Sequence, residues 1–159
     1  MKDLDWSNLS FGYRQTDYNV RCYYRDGKWG EIEVCSDEYL KLHMAATCLH
    51  YGQEAFEGLK AYRCPDGKVR VFRMDENAKR LQSTCRGILM PEVPTEMFEE
   101  MVKKVVRLNQ EWIPTYESGA TLYIRPLLIG TSAQVGVHPS KEYCFRICVT
   151  PVGRYFKGG

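Results

Sequence analysis

The stretch LYIRPLLIG, residues 122–130, decides the fold because large apolar and β-branched residues dominate it. It belongs to a predicted strand over residues 120–129, and a second strand of the same character is predicted over residues 143–152. Pro126 has no N–H to donate to a ladder, so the first strand is expected to lie at a sheet edge or to be interrupted there. Residues 130–140 are predicted to form a long loop between the two strands.

Two hairpins are predicted upstream of these strands. Their turns are Asp-Gly at residues 26–27 and Pro-Asp-Gly at residues 65–67. Their strands are predicted over residues 19–24 and 29–34 in the first hairpin and over residues 55–63 and 68–72 in the second. Residues 36–53 show no clean period and are predicted to form a loop with at most one helical turn.

Helical periodicity replaces the strand pattern in the middle of the sequence. Apolar residues recur every three or four positions from Ala78 onward, and Asp75 is the predicted N-cap of this helix. Thr95 is the predicted N-cap of a second helix, whose apolar stripe reaches Trp112 before Pro114 ends it. The order of strands, two helices and strands predicts an α+β fold, in which two helices back one face of an antiparallel sheet.

Length and composition bound the class of protein. The 159 residues suffice for one compact domain with its own core. The net charge of +2, without a polybasic segment, argues against nucleic acid as a partner. No apolar run approaches a membrane span and no signal peptide begins the sequence, so we expect no membrane partner.

Seven cysteines and three histidines raise the question of a metal site. The sequence has no Cys-x-x-Cys pair and the cysteine spacings are scattered, so we expect no bound metal. So many free thiols favour a reducing compartment, which we predict to be the cytoplasm.

Tyr123 and Arg125 are the first candidate site residues. Because they are two positions apart on a predicted strand, they project from the same face. An arginine in so apolar a strand needs an anionic partner, which is either a protein carboxylate or a ligand.

Two further segments contain candidates for binding. Gly52 and Gly58 flank a step at the junction of loop and strand, where Tyr51 and Phe56 are placed to line a pocket; the alternative is a buried strand start with two turn glycines. Arg80 offers a planar fork of donors suited to phosphate or carboxylate, although a helical arginine is also a common solvated surface group. The residues alone therefore indicate a pocket-forming α+β domain that binds an anion.

Taken together, these segments resemble the branched-chain aminotransferases, which are pyridoxal-phosphate enzymes of fold type IV. The resemblance covers nearly the whole chain and rests on five segments in order. They are His50-Tyr51-Gly52 to Phe56-Glu57-Gly58, Phe72-Arg73 with Asp75 and Arg80-Leu81, Tyr123-Ile124-Arg125-Pro126, Gly136-Val137, and Pro151-Val152-Gly153-Arg154-Tyr155-Phe156. The start Leu9-Ser10-Phe11-Gly12 is similar to the longer members of the family, which include the eukaryotic type.

The resemblance implies a role for each matching residue. Arg80 would bind the phosphate of the pyridoxal 5'-phosphate cofactor, and Arg125 would help to neutralise the side-chain carboxylate of glutamate. The substrate's branched side chain would be surrounded by Phe11, Tyr51, Phe56 and Tyr123. Val137 would complete such a wall in a partner subunit, and Tyr155 would cover the pocket.

The resemblance also implies an incomplete enzyme. The family's Schiff-base lysine lies in a second, C-terminal domain, and no lysine here stands in a matching motif, so residues 1–159 would be the N-terminal small domain without a catalytic residue. The ending Lys157-Gly158-Gly159 is typical of a connection between domains rather than of a terminus. The complete enzyme would transfer the amino group of leucine, isoleucine or valine to 2-oxoglutarate, as a homodimer.

Two alternatives stay open at this stage. The first is a sibling enzyme of the same fold class, such as a D-amino-acid aminotransferase or an aminodeoxychorismate lyase. The second is a binding or scaffold domain without catalysis, which would explain the missing lysine.

Overall fold

Eight strands and three α-helices follow one another within residues 1–154, the residues that the structure, a computed structural model, describes. In chain order they are β1 (Asn19–Arg25), β2 (Lys28–Trp29), β3 (Glu33–Cys35), α1 (Thr47–Tyr51), β4 (Glu54–Phe56), β5 (Leu59–Arg63), β6 (Val69–Val71), α2 (Met74–Gly87), α3 (Thr95–Leu108), β7 (Thr121–Gly130) and β8 (Tyr143–Val152). Short 3-10 turns at Trp6–Asn8 and Gln110–Trp112 complete the elements.

The long strands β7 and β8 form the centre of a single antiparallel sheet. They pair along their whole length, from Thr121↔Val152 to Gly130↔Tyr143. The strand order is β2-β1-β8-β7-β5-β6, with β3 paired to β1 and β4 paired to β7. The two long strands predicted from the sequence are confirmed to within one residue at each end.

Strict alternation along β7 and β8 separates the two faces of the sheet. On one face, Ile124 and Leu128 of β7 and Ile147 of β8 are fully buried and belong to the main hydrophobic core. Helix α3 packs on β8 and β1 over this face, and α2 packs on α3 and β4. The predicted α+β arrangement, a sheet backed by two helices, is confirmed. The opposite face carries Tyr123 and Arg125, which are only half-buried.

Both predicted helix caps lie inside the first turn of their helices. Arg73, in the left-handed region at φ 44°, precedes α2, so Asp75 is a helical residue rather than the N-cap. There its carboxylate pairs with Lys79 and interacts favourably with the positive helix end. Pro94 precedes α3, and the hydroxyl of the predicted cap Thr95 instead accepts a hydrogen bond from Gln82.

Within residues 1–154 no helix is long and apolar enough to cross a membrane.

The first hairpin is confirmed at its turn and revised in its return strand. Asp26 and Gly27 both have positive φ, at 51° and 77°, as the tight two-residue turn requires. The predicted strand over residues 29–34 is divided into β2 and β3, because the amide of Gly30 turns back to the carbonyl of Tyr23. The helical turn expected within residues 36–53 is found as α1.

We expect the core on the helix side of the sheet to dominate stability. Ile147→Val removes one buried methylene group at a fully buried position, so it should lower the free energy of unfolding by about 1 kcal/mol. The matched change Ile88→Val, at an exposed position, should alter it by less than about 0.5 kcal/mol. Urea unfolding followed by circular dichroism measures both, and equal losses would contradict this assignment of the core.

Candidate functional site

An interruption of the sheet at Pro126 shapes the candidate site. Strands β4 and β5 pair with β7 in one continuous register, Phe56↔Leu127 and Leu59↔Ile124, but the two residues between them do not pair. They stand opposite Pro126 and Arg125. Glu57 donates its amide to the carbonyl of Pro126, and the proline has no N–H to return the bond. Strand β7 itself runs through Pro126 without a break and lies inside the sheet, so the predicted edge position or interruption of that strand is wrong. The neighbouring strand, predicted over residues 55–63, is divided into two instead.

Three of the predicted site residues meet on the face of the sheet opposite the helices. The guanidinium of Arg125 lies 4.7 Å from the ring centre of Phe56 and 5.3 Å from that of Tyr123. Its Nε and Nη2 donate to the Tyr123 hydroxyl at 3.1 and 2.9 Å. A fourth, Phe11, joins them, since its ring meets the Tyr123 ring edge-on with centroids 5.2 Å apart. These four residues, Phe11, Phe56, Tyr123 and Arg125, are called the ring cluster below.

Phe11 reaches the ring cluster on a segment that crosses the outer face of the sheet. The amide of Arg14 donates to the Thr150 hydroxyl at 2.9 Å, and the same hydroxyl donates back to the Arg14 carbonyl. The Thr16 hydroxyl donates to the carbonyl of Val149. Residues of β8 therefore fix the position of the N-terminal segment.

Beneath this segment lies a cavity of about 610 Å³. The ring-cluster residues Phe11, Tyr123 and Arg125 line it, together with Arg146 and Cys148 of β8. Its wall combines aromatic and aliphatic side chains with hydroxyl, amide and charged groups, and convergent polar groups beside aromatic surface are a feature of small-molecule sites.

Arg125 makes no ion pair within residues 1–154. Of the two partners that the sequence left open, a protein carboxylate is thus not found, and the guanidinium is held by a phenol and two ring faces. Its charge is available to an anionic ligand.

Arg80 is held by a buried carboxylate. Its Nε and Nη2 donate to the two oxygens of Glu57 at 2.8 and 2.7 Å, and Glu57 also accepts from Asn77 at 2.8 Å. The Glu57 side chain is 4% exposed, whereas that of Arg80 is 68% exposed. Hydrogen bonds to Glu57 raise the pKa of Arg80 further above its ordinary value, so the guanidinium stays charged.

Arg80 is exposed, but it lies on the opposite side of the sheet from the ring cluster. Glu57 alternates with Phe56 along the interrupted strand, so its side chain points to the helix side of the sheet while Phe56 points to the ring cluster. Arg80 follows Glu57 to the helix side. The backbone of Glu57 and Gly58 therefore separates Arg80 from the ring cluster.

The open edge of Arg80 fits a phosphate group. Nε and Nη2 are used by Glu57, and within residues 1–154 we find no partner for Nη1. Phe72, Arg73, Asn77 and Arg80 line a shallow groove of about 580 Å³ on this side. A guanidinium pre-oriented by a carboxylate, with one free edge, suits a phosphate oxygen.

Tyr51 and Val137 occupy a second groove, apart from the ring cluster. The hydroxyl of Tyr51 donates to the carbonyl of Val135 in the loop after β7, and Tyr51 lines this groove together with Val137 and His138. The predicted convergence of Tyr51 with Phe56 and Tyr123 is thus not observed, because this loop holds the phenol. Val137 is 87% exposed. Tyr155 lies outside the described residues.

Two residues of the site were missed by the sequence reasoning. Glu57 is an acid inside an apolar strand start, and burial of such a group requires a cationic partner. Arg146 is an arginine between Phe145 and Ile147, and the argument made for Arg125 applies equally to it. In both cases a charged residue within an apolar segment was the signal that could have predicted a role in the site.

The cysteines of the core are inert thiols. All seven cysteines are free, and burial raises the pKa of Cys85 and that of Cys144 to about 11. Within residues 1–154 no group of histidine, cysteine, aspartate or glutamate side chains is arranged to hold a metal ion.

Comparison with solved structures gives this fold a class. The structure is similar to the crystal structure of the Escherichia coli branched-chain amino acid aminotransferase, with a TM-score of 0.64, 26% identity, and coverage of 88% of this chain and 41% of that one. It is also similar to the branched-chain aminotransferase of the archaeon Thermoproteus uzoniensis solved with norvaline, with a TM-score of 0.66, 25% identity, and coverage of 87% and 43%. A further branched-chain amino acid aminotransferase, solved with pyridoxamine 5'-phosphate, matches with a TM-score of 0.67, 25% identity, and coverage of 90% and 43%. The fold is that of the fold-type IV aminotransferases.

Curated relatives also match the whole of this chain, although no family model matches it. The chain is 52% identical over 159 residues to the branched-chain-amino-acid aminotransferase of Haemophilus influenzae and 47% identical over 159 residues to that of Helicobacter pylori. Each match includes the whole of this chain and 46% and 47% of the relative. A chloroplastic enzyme of Arabidopsis thaliana is 44% identical, with 38% of its length covered. The chain is therefore similar along its whole length to branched-chain aminotransferases, and it spans less than half the length of these relatives.

Gly58 has no side chain, and this leaves room for the Tyr123 ring of the ring cluster. A Cβ placed there would lie 2.6 Å from the Tyr123 hydroxyl, so Gly58→Ala should displace the phenol from Arg125 and cost about 1–3 kcal/mol of stability. Gly87 is the control, because nothing lies within 4 Å of a Cβ at that position, and Gly87→Ala should be neutral or stabilising. Thermal unfolding and near-ultraviolet circular dichroism measure both; a silent Gly58→Ala would refute the close approach.

Proposed function

We propose that this chain is the small domain of a two-domain, pyridoxal-phosphate-dependent branched-chain aminotransferase. In that enzyme it supplies walls of the substrate pocket and the arginine that holds the cofactor's phosphate. The observation that carries the proposal is the ring cluster, in which an arginine without a carboxylate partner within residues 1–154 stands among three aromatic rings. The names of the relatives support the substrate class.

The ring cluster suits both substrates of such a transfer. The faces of Phe11, Phe56 and Tyr123 offer an apolar surface for the side chain of leucine, isoleucine or valine. Arg125 offers a charge to the side-chain carboxylate of glutamate or 2-oxoglutarate. Its bond to the Tyr123 hydroxyl keeps the guanidinium satisfied when an aliphatic side chain occupies the pocket.

Pyridoxal phosphate, when bound, carries the amino group between the two substrates. This chain's part would be to hold the phosphate on Nη1 of Arg80, while Glu57 and Asn77 fix the guanidinium plane. We place the Schiff-base lysine in the second domain and assign no catalytic residue to residues 1–159. One solved neighbour is described with pyridoxamine 5'-phosphate.

The assembly is a further part of the proposal. The exposed Val137 and the loop that holds Tyr51 form an apolar edge fitted to a second subunit of a homodimer. Tyr51, Val137 and Tyr155 are proposed as pocket walls in that assembly, once the second domain and the second subunit are in place. The cytoplasm is the proposed compartment.

Rival functions predict different donors. A D-amino-acid aminotransferase would accept D-alanine, and a binding domain would carry no transfer activity in any context. The Arg125 side chain favours an acidic co-substrate over a purely structural role, because a scaffold has no need to expose an uncompensated guanidinium to a cavity.

A chimera tests the proposal. Residues 1–159 should replace the matching segment of the Haemophilus influenzae relative, to which they are 52% identical, and yield an enzyme that transfers amino groups from leucine, isoleucine and valine to 2-oxoglutarate. D-alanine should be a poor donor. The 159-residue chain alone should show no transfer and no holoenzyme-like visible absorbance, because we place the Schiff-base lysine in the second domain. A folded chimera without activity, or one that prefers D-alanine, would reject the assignment.

In the same chimera, Arg80→Gln should weaken pyridoxal-phosphate retention about ten- to a hundredfold, because it removes a charge-assisted hydrogen bond to the phosphate. Arg86 is the matched control on α2, since it is also exposed and paired with a glutamate, Glu92; Arg86→Gln should change retention less than about twofold. Cofactor release during dialysis, followed by absorbance, gives the comparison. Equal release from both variants would remove Arg80 from the cofactor site.

A further inference from the structure

A second arginine lies beside the ring cluster, and the proposed transfer does not yet use it. Arg146 of β8 lines the same cavity as Arg125. Arg146 pairs with Leu127, and Arg125 pairs with Cys148. The two arginines are therefore diagonal neighbours on one face of the ladder. The Cα atoms of such neighbours are about 7–8 Å apart.

The guanidinium of Arg146 lacks compensation. Its Nε is buried, and among residues 1–154 it has no hydrogen-bond partner and the guanidinium makes no ion pair. An unsatisfied buried donor and two like charges at diagonal positions both destabilise the protein when no anion is present. A bound anion would relieve both penalties, because it accepts a hydrogen bond from the donor and offsets the repulsion between the two arginines.

The other charged groups around this point leave the cavity positive. Arg21 stands directly opposite Arg146, but its Nη2 donates to the carbonyls of Asp37 and Tyr39 and its Nε to Asn19. Among the residues that line the cavity, Glu38 is the carboxylate. It accepts a hydrogen bond from Tyr13 at 2.7 Å and pairs with neither arginine.

We propose that Arg146 is a specificity-determining residue that, together with Arg125, binds one carboxylate of a dicarboxylic acid in this cavity. The inference deepens the proposed function, on which it rests, by naming a second residue that receives the acidic co-substrate. Two guanidinium groups on one face can share the two oxygens of a carboxylate, which a single arginine held by Tyr123 does less completely. Charge at the cavity would also attract the diacid over a neutral amino-acid side chain.

Cys148 provides a reporter that does not depend on catalysis. Its thiol is half-buried, lines the cavity, and lies across the ladder from Arg125. Iodoacetate is anionic and iodoacetamide is neutral, and each alkylates a thiolate with loss of iodide. The ratio of their rates at one cysteine therefore measures the local charge. Cys48 is the internal control, because it is also half-buried but has Glu54 as its charged neighbour.

The experiment maps alkylation of the 159-residue chain by mass spectrometry, with and without glutarate. Cys148 should show a higher iodoacetate-to-iodoacetamide ratio than Cys48, and glutarate should protect Cys148 alone. Arg146→Gln should lower the ratio at Cys148 about three- to tenfold at low salt and abolish protection. Arg146→Lys should retain most of the ratio, since it keeps the charge. Arg107→Gln, at an exposed helical position, should behave like the unmodified chain.

The outcomes separate this inference from the proposed function. If glutarate gives no protection, or if Arg146→Gln leaves both the ratio and the protection unchanged, the subsite is wrong even when the chimera is active. If glutarate protects Cys148 through Arg146 while the chimera does not transfer amino groups, the diacid subsite stands and the aminotransferase proposal fails. In an active chimera, Arg146→Gln should raise the KM for 2-oxoglutarate more than that for leucine. A structural defect would raise both.

Discussion

The ladder between β7 and β8 is the interaction on which the rest of the structure depends. Ten successive pairs fix which side chains face the helices and which face the cavity, because a slip of one residue would exchange the two sets. The buried set, which includes Ile124 and Ile147, supports the core. The outward set, Tyr123, Arg125 and Arg146, then falls on one surface as a direct result of the register.

A single missing N–H organises the second half of the site. Because Pro126 cannot complete its pair with Glu57, the neighbouring strand breaks into β4 and β5. The break leaves a buried carboxylate on one side of the sheet and, at Gly58, room for a phenol on the other. Pro126 and Glu57 thus position both parts of the proposed site. One part is the arginine proposed to hold the cofactor phosphate, and the other is the ring cluster proposed to meet the substrate.

The sequence was sufficient where periodicity or turn chemistry acts locally. It predicted both long strands, the turn at residues 26–27, the sheet-and-helix arrangement and the shared face of Tyr123 and Arg125. It was insufficient where a distant partner decides. Thr95 was not a cap because Gln82 takes its hydroxyl, and Tyr51 left the predicted cluster because a loop carbonyl 84 positions away accepts its hydrogen bond. Glu57 determines the direction of Arg80 in the same way.

The segment that carries Phe11 has a consequence for dynamics. It is tied to β8 largely by hydrogen bonds at Arg14 and Thr16, and its own aromatic residues Phe11 and Tyr13 are exposed. Such a segment detaches by local unfolding at a free energy far below that of the ladder beneath it. Amide hydrogens at its contacts with β8 should therefore exchange long before those within β7 and β8, and the cavity would open to solvent through fraying of one wall while the sheet stays folded.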